Sequence, residues 1–212
     1  MNIGRAKTGD ETENVGTAII HGNVYGGSAL GNTNATKPAS DLVFDATKKT
    51  NVNLLRGTIN GNVFGGGLGQ KNGVNSATSD ILSYVGGDVK VLLDGAKVTP
   101  TYTTGETPTP ITGQIFGCNN LNGTPKGHVI VHVKRTEDND KPIVDNTEAH
   151  NPIDRDARDA ANKYDVAAVY GGGNQADYIP TDATLDPDDD EGNPLKIEKA
   201  TAEVSAISLK LF

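Results

Sequence analysis

The sequence predicts an all-β chain, a right-handed parallel β-helix or closely related β-solenoid with loop insertions, forming one domain over residues 1–212. Three observations carry that expectation. One phrase occurs four times, an alternating β segment precedes three of its copies, and glycine supplies 26 of the 212 residues. Self-similarity at long period is the mark of a stacked-repeat architecture, in which each unit buries its apolar face against the next.

The phrase reads Ile-His-Gly-Asn-Val-Tyr-Gly-Gly at 20–27, Ile-Asn-Gly-Asn-Val-Phe-Gly-Gly at 59–66, Ile-Thr-Gly-Gln-Ile-Phe-Gly-Cys at 111–118 and Val-Ala-Ala-Val-Tyr-Gly-Gly at 166–172. Four of the ten aromatic residues, Tyr25, Phe64, Phe116 and Tyr170, thereby hold one site per repeat. Glycines follow each ring: Gly26 and Gly27, Gly65 and Gly66, Gly117 (with Cys118), Gly171 and Gly172. Such runs imply either positive-φ backbone or neighbours too close for a Cβ. Small residues beside each ring favour rings that point inward as a core stack, the alternative being an exposed ladder that stacks sugars.

The strands come next. Val52-Asn53-Leu54-Leu55, Val89-Lys90-Val91-Leu92-Leu93 and Val129-Ile130-Val131-His132-Val133 alternate with period two and are rich in β-branched residues, the pattern of a strand. A segment at 204–211 has the same character and stands where a fifth phrase would follow. The aromatics are spaced 39, 52 and 54 residues apart. A regular solenoid turn takes roughly 20–30 residues, so each phrase spans either two coils or one coil plus an insertion. The extra length falls in a Thr/Pro loop at 99–110, a charged stretch at 135–165 with a short helical pattern at 154–163, and an acidic, proline-containing loop at 180–194.

Composition excludes several classes. Apolar residues make up 35%, with no Trp and one Met, and glycine in a helix interior costs roughly 1 kcal/mol relative to alanine, which argues against a helical bundle. A net charge of −8 supplies no basic excess for a nucleic-acid backbone or an anionic membrane surface. No apolar run reaches the ~20 residues that span a bilayer. Cys118 stands alone, so no intramolecular disulfide forms. The residues after Met1 have no apolar core of a signal peptide. The chain is therefore expected either to stay inside the cell or to be a piece of a longer exported protein, with both ends cut.

Candidate chemistry is sparse. The Gly65–Gly69 run lacks the Gly-Lys-Ser/Thr of a phosphate loop and the helix that should follow it, so it reads as a corner. His128 and His132 share a strand face about 13 Å apart at ~3.3 Å per residue, too far for one metal. Asp186, Asp188, Asp189, Asp190 and Glu191 fail the EF-hand spacing, because glycine is seventh and position twelve is Ile197. A solvated acidic loop is the expectation, with Asp186, Asp188 and Asp190 as the candidate ligands should calcium bind. Otherwise no cofactor is expected. Strand-borne charges (Arg56, Lys90, Asp94, Lys97, Lys134) place no two carboxylates on one strand face within reach of each other, as a β-helical polysaccharide lyase or hydrolase requires. Cys118 reads as a buried small apolar residue.

The phrase Ile-x-Gly-x-Val-[Phe/Tyr]-Gly-Gly, preceded by an alternating strand, resembles the glycine-rich repeats of large adhesin-like surface proteins of Bacteroidota-type bacteria, over residues 17–175. Cys118 in place of glycine, and Ala167 and Ala168 at the glycine step, depart from that pattern. The resemblance implies a parallel β-helix, an extracellular or cell-surface position, and a structural or binding role. The expected function is a non-enzymatic structural and adhesive segment. It would self-associate through its ends or stack on neighbouring repeats of a larger chain, and its insertions would meet a glycan or host protein. A carbohydrate-binding module is the alternative, and a β-helical polysaccharide lyase or glycoside hydrolase a lesser one.

Overall fold

The computed structural model of the chain describes residues 1–8, 11–14, 18–35, 43–136, 165–179 and 202–206. These contain strands and turns and no helix. The 154–163 segment and the 180–194 loop lie outside the described residues.

The chain makes repeated passages through three parallel sheets. The first passage gives β1 (Asn2–Ile3), a hairpin of β2 (Arg5–Thr8) and β3 (Glu11–Asn14), then β4 (Ile19–Ile20) and β5 (Val24–Tyr25). The second gives β6 (Lys49–Leu54), β7 (Thr58–Ile59) and β8 (Val63–Phe64). The third gives β9 (Asp88–Asp94), β10 (Lys97–Val98), a hairpin of β11 (Thr101–Tyr102) and β12 (Pro110–Thr112), and β13 (Gln114–Phe116). After it come β14 (Val129–Arg135), β15 (Ala168–Tyr170) and β16 (Ala202–Ala206). Strand order is β1-β6-β9-β14-β16 in the first sheet, β10-β7-β4 in the second and β15-β13-β8-β5 in the third, all parallel. The two hairpins are antiparallel and stand apart from these sheets.

Register follows the sequence pattern. Val52 pairs with Val91, Val91 with Val131 and Val131 with Val204. Ile20, Ile59 and Val98 align in the second sheet, and Val24, Val63, Ile115 and Val169 in the third. Alternation sends one face of each strand inward. The three sheets share one aliphatic cluster built from Val52, Leu54, Ile59, Val63, Val91, Leu93, Val98, Ile115 and Val131, all with no exposure. A one-residue slip would turn all of these outward, so burial locks the register.

Each phrase thus marks one passage, not two. Twelve residues separate Val52 from Phe64, and twenty-five separate Val91 from Phe116. The difference is the β11–β12 arm. The Thr/Pro segment read as a loop is therefore a short antiparallel hairpin, held by Thr103 N–H to the Thr109 carbonyl at 2.9 Å and by Thr101 and Thr112 hydroxyls 2.7 Å apart. Threonine suits a strand, and Pro110 lies in a two-stranded hairpin, where each strand has one edge without a partner for an N–H.

Candidate functional site: an aromatic ladder on a glycine-lined corner

In the third sheet Tyr25, Phe64, Phe116 and Tyr170 align by register and stack ring on ring. Successive centroids lie 5.0, 5.1 and 4.9 Å apart, with planes within 9°, 5° and 15° of parallel. That spacing is the ~4.8 Å separation of hydrogen-bonded strands, so the backbone ladder sets the ring ladder. Phe64 and Phe116 are buried, Tyr25 is half-buried and Tyr170 is 43% exposed.

The rings do not join the aliphatic cluster. Val24, Val63 and Ile115 point into it. A Cβ on Gly65 would lie 2.7 Å from Val89 and 2.8 Å from Val91, and one on Gly117 would lie 2.6 Å from Val129. The residue on either side of each ring therefore faces inward, and alternation turns the ring to the opposite face. The rings form the expected stack, buried at Phe64 and Phe116, but as a column of their own beside the aliphatic cluster. The glycines make room for the next passage, not for the ring.

The corner beyond the rings is equally regular. Gly26 N–H donates to the Phe64 carbonyl, Gly65 N–H to that of Phe116 and Gly117 N–H to that of Tyr170, at 2.8–2.9 Å. A side chain on Gly26 or Gly65 would strike the carbonyl oxygen of Gly65 or Gly117 respectively, and one on Gly117 would strike that of Gly171. Gly66 has no room because Asn119 fills it, and Gly27 is crowded by Val85 and Gly67. Gly172, by contrast, has open space where a Cβ would stand. It serves through its carbonyl, which accepts from Cys118 N–H at 3.1 Å. None of these corner glycines has positive φ. Close approach, and not left-handed backbone, explains the runs.

Further along the corner the donors change direction. Leu68 N–H donates back to the Ser28 carbonyl, Asn120 N–H to that of Gly67 and Asn174 N–H to that of Asn119. Asn119 is fully buried and joins three segments. Its Oδ1 accepts from Gly67 N–H at 3.1 Å, and its Nδ2 donates to the carbonyls of Ser83 and Asn122. Ser83 Oγ in turn lies 2.8 Å from the carbonyls of Ser28 and of Gly31, which share its one hydroxyl proton. A buried amide whose oxygen and both N–H donors are paired adds specificity without an unpaired-group penalty.

A second column of amides borders the rings. Asn62 N–H donates to Asn23 Oδ1 at 2.8 Å, and Gln114 N–H to Asn62 Oδ1 at 2.9 Å. The Tyr25 hydroxyl accepts from Asn23 Nδ2 at 3.2 Å and from Asn120 Nδ2 at 3.0 Å. The signal for this column is in the phrase itself, which carries Asn, Asn and Gln two residues ahead of the ring. Asn119 has no such signal, because its counterparts are Ser28, Gly67 and Gly173.

The remaining candidates fall elsewhere. Cys118 is buried, its Sγ lies 3.4 Å from the Gly171 carbonyl, and burial pushes its thiol up to about 12. His128 and His132 lie on the outward side of the first sheet, alternating with inward Val129 and Val131. On the same outward side Lys134 pairs with Asp94 at 3.3 Å and Lys49 meets Asp88 at 3.9 Å. Lys97 lies 3.7 Å from the buried Asp165. Among the described residues no group of three or more His, Cys, Asp or Glu side chains converges on one point. Asp186, Asp188 and Asp190 lie outside the described residues.

Chemically the ladder offers ring surface only at its ends, because Phe64 is 1% and Phe116 4% exposed. Both faces of Phe64 and Phe116 are covered by the rings above and below. A sugar stacks on an open face, and among the described residues Tyr25 and Tyr170, at the two ends, have a ring stacked on one side only. No helix among the described residues is long and apolar enough to cross a membrane. No family model matches the chain, and neither does any curated protein or solved structure.

Proposed function

We propose that the three sheets are the faces of a right-handed parallel β-helix, and that the chain is a non-enzymatic structural and adhesive segment of a bacterial cell-surface protein. In this reading it stacks on neighbouring repeats or on a second copy through its ends. One observation carries the proposal: the aromatic and aliphatic columns keep one register from passage to passage, and the last described strands leave those columns open. Tyr170 is 43% exposed on β15 and Val204 45% exposed on β16, whereas Phe116 and Val131 in the preceding strands are buried. Unpaired edges of this kind are templates for further strands. Parallel strands of one sheet are joined by right-handed crossovers in nearly all proteins, which supports the hand. A surface position rests on the repeat resemblance, and the excursions between strands, such as the β11–β12 arm, are the surfaces that would meet a partner.

Sedimentation equilibrium over a concentration series tests the stacking. The whole chain is expected to associate reversibly, and Tyr170→Lys or deletion of 204–212 to weaken that association. A monomer at every concentration, or association indifferent to both changes, would overturn it. Release of reducing ends from a polysaccharide panel would overturn the non-enzymatic part.

A further inference from the structure

We propose that the tip of the β11–β12 arm is an acceptor for O-linked sugar, with the hydroxyls of Thr104 and Thr107 as the attachment points. This goes beyond the stacking reading and does not depend on it.

Residues 99–110 contain six threonines and three prolines in twelve positions, the composition of segments that carry O-glycans. The structure sorts those threonines by availability. The Thr99 hydroxyl is buried. Thr101 is bonded to Thr112, and Thr103 to Thr109 both by hydroxyl contact at 3.1 Å and by the Thr109 N–H at 2.9 Å. Thr104 and Thr107 flank the turn at Gly105 and Glu106, are exposed, and form no hydrogen bond among the described residues. Modification there breaks no hydrogen bond among the described residues, and both side chains are exposed.

The chemistry selects a neutral adduct. Glu106 lies between the two threonines and residues 99–114 contain no Lys or Arg. A phosphate would therefore sit beside a carboxylate without a cationic partner on the arm. The two Asn-x-Thr triplets are poor competitors, because Asn34 Nδ2 is bonded to the Gly86 carbonyl at 3.1 Å and Asn122 Nδ2 to the Gln70 carbonyl at 2.9 Å. In the transfer, threonine Oγ attacks the anomeric carbon of a phosphate-activated sugar donor. The Oγ–C1 bond forms, the bond from C1 to the phosphate oxygen breaks, and the hydroxyl proton passes to a base of the transferase.

The test is mass spectrometry of the whole chain purified from the organism that encodes it. Trypsin releases residues 98–126 as one peptide carrying the entire arm. The expected result is hexose or N-acetylhexosamine increments that map to Thr104 or Thr107 and vanish in a Thr104→Val/Thr107→Val double variant. Circular dichroism should show that variant folded as the parent is. An unmodified peptide, a phosphate increment, or sugar mapping to Asn122, Thr101, Thr103 or Thr109 would each overturn the proposal.

Discussion

Val63 and Phe64 are neighbours in β8, and they serve two columns with different demands. The Val63 column runs through Val24, Ile115 and Val169 and fills the space between three sheets, so any β-branched residue of similar volume serves. The Phe64 column lies on the opposite face of the same strands and uses only aromatics, with planes held within 15° of parallel. The inner column is a matter of volume. The ring column is a matter of spacing, because flat rings at the strand repeat cover each other's faces.

The corner glycines decide whether either column can exist, so the largest effect is expected there. Gly65→Val places a side chain against the Gly117 carbonyl and against Val89 and Val91. Such a clash has no rotamer escape and should cost about 4 kcal/mol or more, unfolding the chain at room temperature. Urea denaturation reads this directly, and a cost as small as an ordinary surface change would mean the passages are not stacked as described. Next, Phe64→Ala should cost about 3–5 kcal/mol, against about 2 kcal/mol for Val63→Ala. Phe64→Leu sharpens the contrast. It keeps most buried area but loses two ring–ring contacts worth about 0.5–1.5 kcal/mol each. A Leu variant as stable as the parent would reduce the ladder to simple burial.

The smallest effect concerns Cys118. Burial raises its thiol from 9.0 to about 12 in the folded chain, so the folded state holds its proton more tightly than the unfolded state does. Stability is then undiminished below pH 9.0 and falls as pH rises from there toward about 12. Tyr178, raised from 10.0 to about 12 chiefly by burial, adds loss of the same sign. Thermal melts should show Cys118→Ala losing less stability than the parent over that window, and the parent thiol should resist alkylation until the chain unfolds. Rapid labelling of the native chain would place Cys118 outside the packed corner.

Much of the architecture is legible in the sequence because stacked parallel strands require the same residue type at the same place. Val52, Val91 and Val131 announce one sheet, and the four-fold phrase announces another. The orientation of the rings is harder to read. Gly65 flanks Phe64 as Val63 does, and the sequence does not say whether a small residue makes room for the ring beside it or for the chain crossing above. Period two answers correctly, since Val63 and Gly65 share a face and Phe64 takes the other. The arm at 101–112 is hidden because its threonines and prolines read equally as loop, and the paired hydroxyls that make it a hairpin follow from register, not composition. Asn119 is hidden for a different cause: no other copy of the phrase carries an amide at its position, and its partner Ser83 lies 36 residues away, outside the phrase.

The ladder bonds between β6, β9 and β14 run along the direction in which the passages stack, perpendicular to the strands. Tension along that direction loads the bonds of one inter-strand gap together and successive gaps in series, so the weakest gap opens first while the rest stay closed. The excursions between strands hold slack chain that is released only when its own passage lets go. Pulled from both ends, such a stack should lengthen in discrete yields, each dissipating energy and leaving the remainder intact. A force trace with one abrupt rupture in place of several steps would show that the gaps fail as a unit.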